Sequence, residues 1–376
     1  MYLIKKGFAN MYDETYLQMK HDWKNIISFG PRPFGSLQVR NCSEYLEYEM
    51  SQLYPDTKIV SFFSDGFEVD DWQLMIGNTI VDSYLMLGSG TSEGFSGKLQ
   101  YAGIHRVWET FFWNRYMIID SNDNIVAYIT VRKNEKCIPQ TIAEGNTALP
   151  HFIVGQQLEE DMQQAIRNDT NISGYSKAKV LADAEGRNIV VPAHRAKSRL
   201  VLLAHYDTVY NTPGAYDNAA GTAVLMEVAR RLKSRNFLKG LDIIFTDGEE
   251  FMLLGSKYLA ENDLEGVEMV LNIDGVGDGD TLEIWSGPET FERQIRQYLK
   301  NKEAIKNSLY TTPPPPGSDH SPYYDFGIPV CMFTFNDQGT LHTPDDVYDE
   351  KKLSNMALMV QLVLGFLEIF EIIEPA

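Results

Sequence analysis

The chain has 376 residues, 44% of them hydrophobic, and a formal net charge of −19. That length suggests two or three domains with ample apolar material for a core, and the charge argues against nucleic acid or an anionic membrane as a partner. The three cysteines, Cys42, Cys137 and Cys331, are too few and scattered for a disulfide framework and lack the spacing of a thiolate metal site.

The first residues, MYLIKKGFANMYDETYLQ, have no apolar stretch or cleavage site of the kind a signal peptide needs. The most apolar window, Met356 to Ile373, is broken by Gln361, Gly365, Glu368 and Glu371 at amphipathic spacing, which predicts a last helix docked on a sheet and no membrane span. A cytoplasmic location is therefore expected, although a chain trimmed of a leader would read the same. Glu14 to Phe29 and Leu37 to Leu53 read as helices separated by Gly30-Pro31-Arg32-Pro33. From about residue 75 to 172 the strand-helix rhythm gives way to short strand-like runs, Gln73 to Val81, Phe111 to Ile119 and Asn124 to Val131. The expected organisation is a discontinuous domain, 1–74 and 173–376, interrupted by a β-rich insert, 75–172, that contributes no candidate metal ligand. Lys177 to Ala182 and Asn188 to Ala193 read as paired strands joined at Glu185-Gly186.

Beyond Arg199 the rhythm becomes that of a parallel sheet with helical crossovers. An apolar run, Leu200 to Ala204, ends on His205-Tyr206-Asp207; Asp217 heads a helix over Asn218 to Leu232; and a second run, Leu241 to Phe245, ends on Asp247-Gly248-Glu249-Glu250. Val267 to Ile273 ends on Asp274, and Ile328 to Phe335 is followed after a short loop by His342. Gly275 to Gly279 is not a phosphate loop, because Thr281 to Trp285 continues as a strand and offers no helix N-terminus. In open sheets, ligands bind beyond the carboxyl ends of the strands, so His205, Asp217, Glu250, Asp274 and His342 converge at one sheet edge. Singly, Asp217 reads as a helix cap, Asp274 as a turn former and His342 as a loop residue. Together, crowded carboxylates repel one another unless cations neutralise them, and two imidazoles with three carboxylates suit borderline metals such as zinc, cobalt or manganese.

The motifs HYD, GAYDNAAG, DGEE, NIDGVG and LHTPDD, in that order, resemble the signatures of the M28 zinc-peptidase family, whose fold is shared by glutaminyl cyclases. The likeness covers Ile27 to Tyr54 and then Lys177 onward. It implies an α/β fold of the zinc-peptidase, phosphorylase/hydrolase-like type, with a mixed, mostly parallel central sheet flanked by helices. It also implies two zinc ions per chain: His205 and Asp274 hold one, Glu250 and His342 the other, Asp217 bridges them, and Glu249 is the general base. Thr147 to Ile166 resembles the closing strand and helix of the PA domain that some family members carry as an insert. The chemistry supports these roles: cations activate water and polarise a carbonyl, Glu249 can shuttle a proton, and Asp207 is placed to orient His205.

SDHSPYYDFGIPVCMF resembles the far wall of the family's pocket. His320, Tyr310 and Tyr323 are candidates there for substrate or oxyanion contact, since prolines replace the tyrosine that some relatives use. The segments forming the site, Val201 to Ala229, Gly240 to Ser256, Tyr258 to Glu292 and Asn307 to Glu350, contain no Lys or Arg. A free carboxylate calls for a basic partner, so an acidic pocket points to peptides with a free N-terminus and to an aminopeptidase. The rival readings are a single-zinc glutaminyl cyclase-like acyltransferase and a non-catalytic binding module. Oligomeric state is left open.

Overall fold

A computed structural model describes residues 16–107, 111–133, 136–142, 145–300, 302 and 305–375. The chain forms two compact units, Met1–Phe63 with Glu185–Ala376, and Ser64–Ala184. Helices α1 (Leu17–Ser28) and α2 (Leu37–Leu53) lead to the long strand β1 (Lys58–Ile76). Next come β2 (Thr79–Ile80), β3 (Tyr84–Leu85), β4 (Ser92–Arg106), β5 (Phe112–Ile119), β6 (Ile125–Arg132), β7 (His151–Gly155) and α3 (Glu159–Arg167), then the long strand β8 (Asn171–His194). The remainder runs β9 (Arg199–His205), α4 (Ala220–Leu232), β10 (Gly240–Thr246), α5 (Leu254–Asn262), β11 (Val267–Ile273) and β12 (Leu282–Gly287). It closes with α6 (Glu289–Leu299), β13 (Leu309–Thr311), α7 (His320–Asp325), β14 (Val330–Phe335) and α8 (Leu353–Ile369). The expected start of α1 at Glu14 lies outside the described residues.

In the first unit the strands lie in the order β13-β12-β14-β11-β9-β10-β8. The middle of this sheet, β14-β11-β9-β10, is parallel throughout, while β12 and β8 flank it antiparallel. The strands are apolar on both faces because both are covered. Leu200, Leu202, Ala204, Leu241, Ile243, Phe245, Leu271 and Ile273 pack with residues of α1, α2, α4 and α8. The alternate residues Val201, Leu203, Ile244 and Val270 pack on the other side with Leu259, Ala260 and Tyr323. This is the pattern that makes buried parallel strands read as continuous hydrophobic runs.

By itself the second unit is a β-rich body in which β4, β5 and β6 form an antiparallel meander and β7 joins β6 in parallel. The boundaries expected at 75 and 172 fall inside β1 and β8, whereas the units divide at Phe63/Ser64 and Ala184/Glu185. The paired strands expected at Lys177 to Ala193 are corrected: β8 is one strand of 24 residues. Gly186, read as a turn residue, instead accommodates the Phe62 ring, which a Cβ there would approach to 2.1 Å; a strand glycine often marks such a close approach.

The reading of the last helix also needs correction. Glu350–Ile369 is 20 residues long, and its most apolar 18-residue window is enough to cross a membrane by length and composition. Half of that window is nonetheless buried in the protein, and Met356, Met359, Val360, Val363 and Phe366 belong to the core. Leu202, fully buried, lies between Ile243 and Leu271 on the neighbouring strands. Leu202→Ala should cost about 2–5 kcal/mol, read as a lowered denaturant midpoint, whereas Leu238→Ala at an exposed position should stay within about 0.5 kcal/mol.

Candidate metal centre

The ends of β9, β10 and β11, adjacent in the sheet, deliver His205, the Glu249-Glu250 pair and Asp274 to one edge, and the loop after β14 adds His342. His205 Nε2 lies 3.1 Å from Asp217 Oδ1 and 3.2 Å from Asp274 Oδ1. His342 Nε2 lies 3.1 Å from Asp217 Oδ2 and 2.9 Å from Glu250 Oε2. The two oxygens of Asp217 thus face one imidazole each. The donors form two groups, His205 with Glu249 and Asp274, and Asp217 with Glu250 and His342, each with donor atoms within 4.8 Å of one another. All five expected ligands and Glu249 are therefore brought together. Borderline metals suit such buried nitrogen and oxygen donors.

The helix expected to start at Asn218 starts at Ala220, because Asp217 and Asn218 have non-helical backbone. Asn218, not Asp217, serves the helix start: its Oδ1 accepts the Gly221 N–H and its Nδ2 donates to the Ile273 carbonyl. It ties the Asp217 segment to the end of β11 and leaves the Asp217 carboxylate free of capping duty. Asp207 does more than orient His205, whose Nδ1 is 3.4 Å from its Oδ1. Its two oxygens accept the N–H groups of Glu249 and Glu250, each at 3.1 Å, fixing the turn that carries both acids. Asn272 donates to Ser318, and Ser318 donates to Asp274 Oδ2, which holds Oδ1 toward His205.

Sequence reasoning missed Arg32, Asn218, Ser318, Asp346 and Lys352. Arg32 is buried, and its guanidinium donates to the carbonyls of Tyr206, Ile26, Gly30 and Pro213. The signal for it was the GPRPFG stretch, read only as a helix breaker. Lys352, also buried, pairs with Asp346 at 3.3 Å. Both cations come from outside the segments expected to form the site, and both are spent on carbonyls or acids inside the protein.

The three expected substrate contacts fare differently. Tyr323 is 1% exposed and packs in the core beneath the sheet, which removes it as a substrate contact. His320 is fully buried with Nε2 3.0 Å from the Pro315 carbonyl, so it anchors the proline segment. Tyr310 lies under the Arg296 guanidinium, 3.8 Å from its ring centroid.

Electrostatics explains what the centre requires. Burial alone would lower both imidazoles, but the carboxylates of Glu249 and Asp274 hold His205, and those of Glu250 and Asp217 hold His342, well above the ordinary range. Burial pushes Glu250 up to about 7 and Glu249 well above the usual carboxylate range, against the pull of the histidines. Asp217 goes the other way, since its bonds to both imidazoles outweigh burial. Without cations the cluster retains protons as its counterions.

Residues 188–367 match the profile of Peptidase family M28. Aminopeptidase YwaD of Bacillus subtilis is 28% identical over 391 residues, spanning 90% of this chain and 82% of the relative. Through this unit, the chain is similar to peptidase family M28. Among solved structures, a zinc aminopeptidase from Bacillus subtilis has TM-score 0.71 and 21% identity over 96% of each chain. An aminopeptidase from Aneurinibacillus sp. strain AM-1 has TM-score 0.72 and 19% identity over 96% of this chain and 97% of its own. A Bacteroides thetaiotaomicron glutaminyl cyclase has TM-score 0.54 and 16% identity over 97% and 98%. Those structural likenesses establish that this chain has the fold those enzymes share.

Metal loading of this centre must displace the protons held by His205, His342 and Glu250. Zinc binding should therefore release protons and tighten as pH rises through about 7, where Glu250 gives up its proton, and above it, where the two histidines do. Calorimetry in buffers of different ionisation heat checks this; proton uptake, or affinity that falls with rising pH, would contradict it.

Proposed function

We propose that this protein is a zinc aminopeptidase that works with two zinc ions per chain and removes the N-terminal residue from peptides with a free amino end. The observation that carries this reading is the Asp217 carboxylate set between two imidazoles, one oxygen to each. In this reading His205 and Asp274 hold one ion, Glu250 and His342 the other, and Asp217 is shared. The ions, when bound, polarise the scissile carbonyl and lower the pKa of water.

The chain supplies the proton path and the selectivity. Glu249 lies beside His205 and Asp274, and its buried carboxyl has a strongly raised proton affinity. A carboxylate so tuned takes a proton from water and hands it to the leaving amine near neutral pH. Asp207 holds the Glu249 and Glu250 backbone while that carboxyl changes state. The site segments offer acids and no free Lys or Arg, which suits a protonated amine and disfavours a peptide carboxylate. The β-rich unit is read as the PA-like insert, a reading supported by the succession of His151–Gly155 and Glu159–Arg167.

Assays on aminoacyl-anilides, N-blocked peptides with free C-termini and peptides with N-terminal glutamine separate the readings. Hydrolysis of the first, and release of glutamine from the third without ring closure, is expected; turnover of only the second would make this a carboxypeptidase, and ring closure of the third with one ion per chain a cyclase. Glu249→Gln should lower kcat roughly 10²- to 10⁴-fold with metal content and KM retained. Undiminished kcat in that variant would remove Glu249 from the proton path.

A further inference from the structure

The loop that presents His342 is zipped along the segment that presents Asp217, and Asp346 makes most of the zip. Asp346 is fully buried. Its main-chain carbonyl accepts the Ala215 N–H at 3.2 Å, its Oδ1 accepts the Tyr216 N–H at 2.7 Å, and its Oδ2 accepts the Asp217 N–H at 3.1 Å. Three consecutive amides of the Asp217 segment thus end on one residue, four positions after His342. Asn211 adds a fourth tie, its Nδ2 donating to the His342 carbonyl at 2.9 Å. His342 itself has φ +54°, a left-handed conformation that a non-glycine residue keeps only where its surroundings impose it.

An aspartate in a loop is usually a local turn former, its carboxylate bonded to amides a few residues on. The carboxylate of Asp346 serves amides about 130 residues distant instead, at |i−j| of 129 and 130. Its charge is matched by Lys352 at 3.3 Å, whose ammonium also lies over the Tyr216 ring at 5.8 Å. That pairing allows an acid to be buried behind a centre already crowded with acids, where an uncompensated carboxylate would be costly.

We propose that Asp346 is a positioning residue of the metal centre: it straps the Asp217 segment to the His342 loop, so that Asp217 Oδ2 and His342 Nε2 form a preformed pair for the ion they share with Glu250. The proposal rests on the two-ion reading above. Its consequence is asymmetric. The ion held by His205 and Asp274 has those two ligands at the ends of β9 and β11, which the sheet itself fixes, and has only Asp217 on the strapped segments, whereas the other ion takes both Asp217 and His342 from them and depends on the strap between them.

The test compares wild type with Asp346→Asn, Asp346→Ala and Asp345→Ala, an exposed neighbour that serves as control. Competition between the purified chain and a chromogenic chelator gives the affinity for each zinc ion, and hydrogen–deuterium exchange over residues 211–219 reads the strap directly. The Asp346 variants should bind the second ion roughly 10- to 100-fold more weakly and the first, which loses only the Asp217 contact, distinctly less so, with faster exchange at the Tyr216 and Asp217 amides; the control should match wild type. Asp346→Asn keeps an acceptor for the Tyr216 amide and so preserves a measurable fold if the alanine variant does not. Equal weakening of both ions would mean a general loss of structure, and unchanged second-ion affinity would mean no positioning role; either overturns the proposal. If wild type binds a single ion, the two-ion reading fails on that result, and the strap is judged on exchange alone, where unaltered rates over 211–219 overturn it.

Discussion

The placement of the Asp217 carboxylate between His205 and His342 is the constraint around which the catalytic unit is built. Both imidazole contacts are near 3.1 Å, and Asp274, Glu249 and Glu250 crowd the same buried space. Burying that much negative charge is tolerable only if it is neutralised in place. Bound protons accomplish this at the expense of the chemistry, since a protonated carboxylate cannot ligate. Divalent cations accomplish it and bring Lewis acidity with them. The fold therefore assembles a charge arrangement that a metal completes.

Around this cluster the protein repeatedly fixes acids by giving their backbone, rather than their side chains, something to hold. Asp207 takes the amides of Glu249 and Glu250, and Asp346 takes those of Tyr216 and Asp217. Asn218 bonds the Ile273 carbonyl, next to Asp274, and Arg32 gathers carbonyls from both ends of the loop between His205 and Asp217. The ligand carboxylates consequently keep their oxygens for the centre. Among the described residues the two buried Lys and Arg side chains, Arg32 and Lys352, serve this outer layer.

Much of the centre was legible in the chain because parallel strands announce themselves. The runs Leu200 to Ala204, Leu241 to Phe245 and Val267 to Ile273 are apolar on both faces, and each ends on a polar residue that the sheet must place at its carboxyl edge. What lay outside reach depended on partners distant in sequence. Nothing near Gly186 signals that it makes room for the Phe62 ring, so it reads as a turn. Asp346 sits in the quoted LHTPDD motif, yet a carboxylate bonded to amides on another loop has no local signature. Tyr323 reads as a pocket residue from its place in SDHSPYYDFGIPVCMF, but on the short helix α7 it turns into the core. Arg32 in GPRPFG was hidden by the prolines around it, which account for the break between α1 and α2 without calling for the arginine.

His205, the Glu249-Glu250 pair and Asp274 follow strands whose order in space differs from their order in the chain: β11, β9 and β10 stand side by side in that order. No two neighbouring segments alone can offer the full set, and an unfolded or misregistered chain presents only scattered donors. Binding free energy at such a site is folding free energy. Occupancy by metal thus doubles as a proofreading signal for topology, available only to chains whose strands have found their correct neighbours.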